Sequence, residues 1–342
     1  MIAPDADRVG VFSRGLVKTL RGCAFLDYPV VFDPHPDDPR IALTAGWGCK
    51  PSGEKAAAFA AERGIPCVRL EDGFLRSVGL GALGAPPLSL TIDDRGIYYD
   101  ASQPSQLEAL LNQADLQPDL LARAARLRSL IADHHLSKYN HAPDAAEGLI
   151  PSTGRLRVLL IDQTAGDASI RCGLANEDTF RNLLTAARDE NPGADLYVKT
   201  HPDVIAGKKH SALAFARSEP GLAWIAADVS PPSLLQQIDR VYTVTSQMGF
   251  EATLLGKPVS CFGLPFYAGW GITDDRLSCA RRTRRRTVLE ILAAAYILYP
   301  RYVDPKTGQR CEVERVAEYL ATARSIGPRR SIVSRLIARW RT

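Results

Sequence analysis

The run Arg157-Val158-Leu159-Leu160-Ile161-Asp162-Gln163-Thr164-Ala165-Gly166-Asp167-Ala168-Ser169 decides the fold class. Its first five residues have the length and apolar character of a buried strand. The run then breaks at a polar turn containing glycine, and helical spacing of apolar residues follows over 177–190. The same alternation continues downstream, with strands expected at 195–199, 223–226, 240–243 and 258–261, each ending in a loop rich in Gly, Ser, Thr, Asp or His. Upstream, short apolar runs at 9–12, 30–32, 41–43 and 67–70 alternate with helix-like stretches, and residues 107–136 keep helical spacing with an interruption near Pro118. Strands alternating with helices predict a parallel sheet wrapped by helices, an α/β class. Between 142 and 155 the composition shifts to Pro, Gly, Ser, Asp and Ala, as in an exposed connection. Two Rossmann-like domains facing across a cleft are therefore expected, over 1–150 and 151–328, with a basic tail at 329–342.

Composition narrows the class. A chain of 342 residues with 46% hydrophobic and 23% charged content can bury a sizeable core. No stretch reaches the roughly 18 consecutive apolar residues of a membrane span, and the first residues lack a signal pattern, so a cytoplasmic protein is expected. Seven cysteines are scattered singly, a pattern that predicts reduced thiols and no structural zinc. The formal charge of +4 is unevenly placed, with dense basic runs at 281–286 and 329–341 that suggest an anionic partner. In the tail, Ile332, Val333, Leu336, Ile337 and Trp340 form one helical face amid five arginines, the pattern of a helix lying on an anionic membrane surface.

In open parallel sheets, ligands bind beyond the carboxyl ends of the strands, and the polar motifs fall there. Asp162 and Asp167 sit in the first such loop, where a carboxylate can serve as a nucleophile; the same residues also suit a turn and a helix N-cap. Lys199-Thr200-His201-Pro202-Asp203 ends the next strand with an imidazole able to bind phosphate or donate a proton, although a hydrogen-bonded loop histidine fits as well. Thr243-Val244-Thr245-Ser246-Gln247-Met248-Gly249-Phe250-Glu251-Ala252 reads as strand, hydroxyl-rich turn and helix, whose N-terminus can hold an anion. Neither a G-x-x-x-x-G-K-[ST] loop nor a well-placed G-x-G-x-x-G occurs, which counts against ATPase and dinucleotide chemistry. In the first half, Glu71, Asp72, Arg76 and Ser77 follow a strand, as a general base and anion clamp or as a structural ion pair. Pro265-Phe266-Tyr267-Ala268-Gly269-Trp270-Gly271 suits either stacking on a base or sugar or packing in the core.

Together with Gly96 to Asp100 and Lys138 to Asn140, these strings resemble the capsule β-Kdo transferases, the capsular polysaccharide export and modification family that uses CMP-Kdo. The likeness runs from about Trp47 to Glu314, with V-T-S-Q-M-G-F-E-A and P-F-Y-A-G-W-G as its most specific strings. It implies a variant of the GT-B glycosyltransferase architecture and a retaining double displacement. It also implies Asp162 as nucleophile, Glu71 as acid or base, and His201 at the CMP phosphate. Gln163, Lys199, Pro202, Ser246, Gln247, Gly249 and Glu251 would complete the donor site, with Asp72, Arg76 and Ser77 on the acceptor side. No metal or other cofactor is expected, because a single phosphate can be balanced by basic and helix-terminal groups. The implied partners are CMP-Kdo, a phosphatidylglycerol-linked oligo-Kdo glycolipid, the inner leaflet of the inner membrane and other capsule assembly proteins, with no nucleic acid. Many family members carry two such modules in tandem and this chain has room for one, which implies a single linkage. The alternatives are a transferase of another CMP-linked acidic sugar and a non-catalytic capsule export adaptor.

Overall fold

The computed structural model describes residues 6–113 and 115–326. The first sheet is built from β1 (Arg8–Val11), β2 (Val30–Phe32), β3 (Ile41–Trp47), β4 (Cys67–Asp72) and β5 (Ser89–Asp93). Strands β1 to β4 pair in parallel in the order β2-β1-β3-β4, and β5 runs antiparallel beside β4. The second sheet comprises β6 (Arg157–Ile161), β7 (Asp195–Lys199), β8 (Leu222–Ile225), β9 (Arg240–Thr243), β10 (Val259–Cys261) and β11 (Asp274–Asp275), all parallel, in the order β11-β10-β9-β6-β7-β8. This is the doubly wound Rossmann order, and the winding reverses between β6 and β9.

Why β6 reads as an unbroken apolar run is visible in its packing. Val158 and Leu160 face one cluster with Phe180, Leu183 and Leu184, while Leu159 and Ile161 face the other side with Leu234, Leu235 and Ile238. Both faces are dry, so neither can carry polar residues. The helix Glu177–Asp189 that covers one face starts at a capping box in which Asn176 and Thr179 satisfy each other's backbone donors.

One expected boundary is corrected. The second domain was expected to run continuously to 328, but β12 (Pro300–Val303) and β13 (Arg310–Cys311) return to the first sheet, where β12 pairs antiparallel with β5. Pro300 opens its strand, a position where a missing backbone donor is tolerated. The helix Val313–Ile326 then packs Val316 and Leu320 into the cluster that holds Ala124 and Leu127 of helix Pro118–Asp133, and Arg123 of that helix pairs with Glu314 at 2.6 Å. The tail at 329–342 lies outside the described residues.

The two halves share one core. Phe74 stacks on Tyr296 at 5.1 Å and meets Phe266 at 4.7 Å. The basic run at 281–286, read from sequence as a surface for an anionic partner, is instead largely a strap between domains. Arg281 and Arg282 both pair with Glu108, Arg282 donates to the Pro265 and Ala268 carbonyls, and Arg286 donates to the Leu111 carbonyl and pairs with Glu290. The aromatic loop is likewise core: Tyr267 and Trp270 are buried, and only Pro265 and Phe266 reach the cleft.

Candidate active site in the inter-domain cleft

The loops that follow β6, β7 and β9 converge at the reversal of the winding and form one wall of a cleft of about 570 Å³. Gln163 joins two of them: its carbonyl oxygen accepts from the Thr245 backbone at 2.9 Å, and its amide donates to the Thr245 hydroxyl at 2.9 Å. Asp162 beside it is 2% exposed. One carboxylate oxygen accepts from the Leu213 backbone at 3.1 Å, and the other has no hydrogen-bond partner among the described residues. Burial raises this carboxyl above its ordinary value, against the pull of the Ser211 hydroxyl, the Leu213 and Gln163 backbones and His201.

His201 caps the short helix Pro202–Ile205, with Nδ1 accepting from the Asp203 backbone at 3.1 Å. Burial lowers its pKa, so the ring is neutral near pH 7 and the remaining proton sits on Nε2. Lys199 is 5% exposed and donates to the Thr200 and Ala227 carbonyls at 3.1 and 3.0 Å. Burial lowers its pKa as well, with Asp228 opposing. Ser246 caps the helix Gln247–Leu254; its oxygen accepts from Met248, which leaves its own proton free to donate. Gly249 does not line the cleft. A Cβ there would stand 2.1 Å from the Tyr267 hydroxyl and 2.8 Å from the Thr243 methyl, so glycine is what lets this helix start so close to β9.

The opposite wall carries Glu71 at the end of β4, with Lys50, Lys138, Tyr98 and Tyr99. Burial raises the Glu71 carboxyl, and Lys138 and Lys50 resist that shift. At the cleft floor Glu251 is 4% exposed. One oxygen accepts from the Ser137 hydroxyl at 2.7 Å and from Gln247 at 3.3 Å, while the other has no partner among the described residues, and burial pushes this carboxyl up to about 7. Gln247 also donates to the Phe74 carbonyl at 3.0 Å, fastening this helix to the first domain.

The structure thus gathers Asp162, Gln163, Lys199, His201, Pro202, Ser246, Gln247, Glu251 and Glu71 around one cleft. Asp72, Arg76 and Ser77, expected on the acceptor side, do not line it. Arg76 pairs with Asp72 at 2.7 Å and donates to the Ser77 hydroxyl and the Ala85 carbonyl, both at 2.9 Å, while Ser77 donates to Gly79 at 2.7 Å. Each is engaged by its neighbours, so the three brace the wall rather than face a ligand. Asp167 is the N-cap of helix Ala168–Cys172 and still lines the cleft. Sequence reasoning passed over Lys50 as a cleft residue, because a single loop residue carries no periodicity, and the tyrosines at 98 and 99 stood only within a resembling string. Lys138 stood only within a resembling string.

Residues 43–302 match the family described as "Capsule polysaccharide biosynthesis protein". The capsule polysaccharide modification protein LipA of Neisseria meningitidis serogroup B is 48% identical over 297 residues, 84% of this chain and 42% of LipA. The lipopolysaccharide-processing protein LpsZ of Rhizobium meliloti is 43% identical over 277 residues, 80% of this chain and 63% of LpsZ. The chain therefore spans less than two thirds of either relative. Among solved structures, Thermosulfurimonas dismutans KpsC described as a β-Kdo 2,4 transferase gives a TM-score of 0.88 at 50% identity, covering 93% of this chain and 99% of that one. KpsC of the same organism described as a β-Kdo 2,7 transferase gives 0.69 at 29% identity, covering 92% and 98%. With a matched span covering most of the sequence and a 50% identical relative overlaid almost end to end, this chain belongs to the capsule polysaccharide biosynthesis family that includes the KpsC β-Kdo transferases.

Proposed function

We propose that this chain is a retaining β-Kdo glycosyltransferase that moves Kdo from CMP-Kdo to a glycolipid acceptor in capsule biosynthesis. The observation that carries the reading is Asp162: a buried carboxylate with one unbonded oxygen, at the switch point of the second sheet, in the same cleft as a neutral histidine and a helix N-terminus. The anomeric carbon of Kdo is C2. Attack by Asp162 there breaks the C2–O bond to phosphate and leaves a glycosyl ester, while CMP departs with the bonding pair. The His201 Nε2–H and the Ser246 hydroxyl donate to the phosphate oxygens, and the backbone at the start of Gln247–Leu254 adds its positive end. An acceptor hydroxyl then attacks C2 from the vacated side, expels Asp162 and gives its proton to Glu71. Two inversions retain the configuration. Lys50 and Lys138, on the Glu71 wall, suit an acceptor that carries carboxylates or phosphate.

The greater likeness to the 2,4 transferase favours that linkage over 2,7. Among the described residues no helix is long and apolar enough to cross a membrane. The arginine-rich sequence at 329–341 supports attachment to an anionic inner leaflet. The test is incubation of purified protein with CMP-Kdo and a Kdo-terminated glycolipid, with products read by mass spectrometry and NMR. One added β-linked Kdo is expected. Failure of Kdo to transfer while another CMP-linked acidic sugar does would change the donor, and CMP binding without transfer of any sugar would favour the adaptor role.

A further inference from the structure

Outside the cleft, three metal-binding side chains converge that lie far apart in the sequence. Cys49 follows β3, Asp100 lies in the loop beyond β5, and Cys172 ends the helix Ala168–Cys172 of the second domain. Their thiol sulfurs and a carboxylate oxygen all lie within 4.8 Å of one another. The scattered spacing that counted against zinc in the sequence does not carry over into space.

Each group is held in place before any ligand arrives. The Cys49 backbone donates to the Tyr99 hydroxyl at 3.0 Å. One oxygen of Asp100 accepts from the Ser102 backbone and hydroxyl at 3.1 and 2.6 Å, and the other accepts a hydrogen bond from the Cys49 thiol at 3.5 Å, the proton that a metal ion would replace. Cys172, 4% exposed, is fixed through its carbonyl, which accepts from Ala101 at 2.8 Å. A second cavity of about 380 Å³ is lined by all three, together with Arg69 and Arg171.

We infer that Cys49, Asp100 and Cys172 bind one zinc ion, with a water molecule from this cavity as fourth ligand, and that the ion clamps the two domains together. A tetrahedral site with a Zn–S bond of about 2.3 Å and a Zn–O bond of about 2.0 Å sets sulfur and oxygen roughly 3.5 Å apart, which is the separation found between Cys49 and Asp100. Two thiols with a carboxylate suit a borderline-soft divalent ion better than magnesium or calcium. The orientation of Asp100 by Ser102 is the outer support that metal carboxylates have. A disulfide would have no use for that carboxylate. Two thiolates and a carboxylate around Zn²⁺ leave one negative charge, which Arg171 is placed to offset; Arg69 in the same cavity is already paired with Glu54 at 2.8 Å. Binding expels the two thiol protons. Because Cys172 ends the short helix that follows the loop from Asp162 to Asp167, the ion would hold that loop and helix against the first domain.

The test uses the full chain, purified with reductant, stripped by chelation and reloaded with Zn²⁺ or Co²⁺. Expected are one metal per chain by elemental analysis, release of two protons per zinc, a thiolate-to-cobalt charge-transfer band in the near ultraviolet, and a higher Tm with metal. Cys49→Ser, Cys172→Ser and Asp100→Asn should each weaken metal retention by about tenfold or more. Cys279→Ser should bind like wild type, and the metal-free Tm of each variant checks that it folds. Substoichiometric zinc with no cobalt band and an unmoved Tm would overturn the inference. So would an intact mass lower by two hydrogens with a Cys49–Cys172 cross-linked peptide in protein that still refuses metal after reduction.

Discussion

Asp162 and Glu251 share one condition: each is a buried carboxylate with an oxygen that has no hydrogen-bond partner among the described residues. Such groups are costly to keep charged, and the cost is tolerated where a ligand will use them. For Glu251 the consequence for stability has a definite sign. Its carboxyl is raised from 4.5 to about 7, so between those values the folded state holds a proton that the unfolded chain has lost. Stability from this group is therefore full below the unfolded value and is lost as pH rises through the folded one, by about 3 kcal/mol in all. Glu251→Gln should remove that slope: urea melts from pH 4.5 to 7.5 should show wild type weakening relative to the variant as pH rises. Parallel curves would mean that Glu251 titrates in the fold as it does in the unfolded chain. At this scale the sequence was readable where a residue sits at a strand end, as with Asp162 and His201. For Asp72, Arg76 and Ser77 it left an anion clamp and a structural ion pair both open, because residue type alone does not reveal whether a side chain is already engaged by its neighbours.

Apart from the two-residue β11, Asp274–Asp275, the parallel strands of the second sheet were legible, β6 most clearly because both of its faces are buried and its apolar run is unbroken. Strands β5, β12 and β13 were not. Ser89 and Thr91 interrupt β5, β12 carries Pro300 and Arg301, and β13 has two residues; their pairing depends on distant chain that no local pattern encodes. The turn from β9 into helix Gln247–Leu254 was readable as an anion site, yet the reason for Gly249 appears only with Tyr267 packed against it. Tyr267 also donates from its hydroxyl to the Ser246 carbonyl at 2.6 Å. Gly249→Ala should thus displace this helix start, costing about 1–3 kcal/mol of stability and weakening CMP binding. Adding Tyr267→Phe removes the closest clash and should recover part of the loss, a coupling that a double-mutant cycle measures. Strict additivity of the two changes would place the effect of Gly249 elsewhere.

Across the whole molecule, the two-domain plan followed from the restart of the strand pattern at Arg157, but the way the domains are joined did not. The return of β12 and β13 to the first sheet, the shared aromatic core around Phe74 and Phe266, and the arginines at 281, 282 and 286 make the halves one unit around the cleft. A run of arginines looks alike in sequence whether it faces a membrane or reaches across to Glu108 and backbone carbonyls; only the fold separates these cases. The Cys49, Asp100 and Cys172 grouping is a product of the same joining.

The central claim is that Kdo passes through a covalent ester on Asp162. The direct measurement is mass spectrometry of the Glu71→Gln variant after mixing with CMP-Kdo, quenching with acid and digesting, since loss of the proposed base should slow the second step more than the first. The account predicts one Kdo on the peptide that contains Asp162, and none when Asp162→Asn is added. Kdo on another residue, or transfer to acceptor by the Asp162→Asn protein at near wild-type rate, would contradict it.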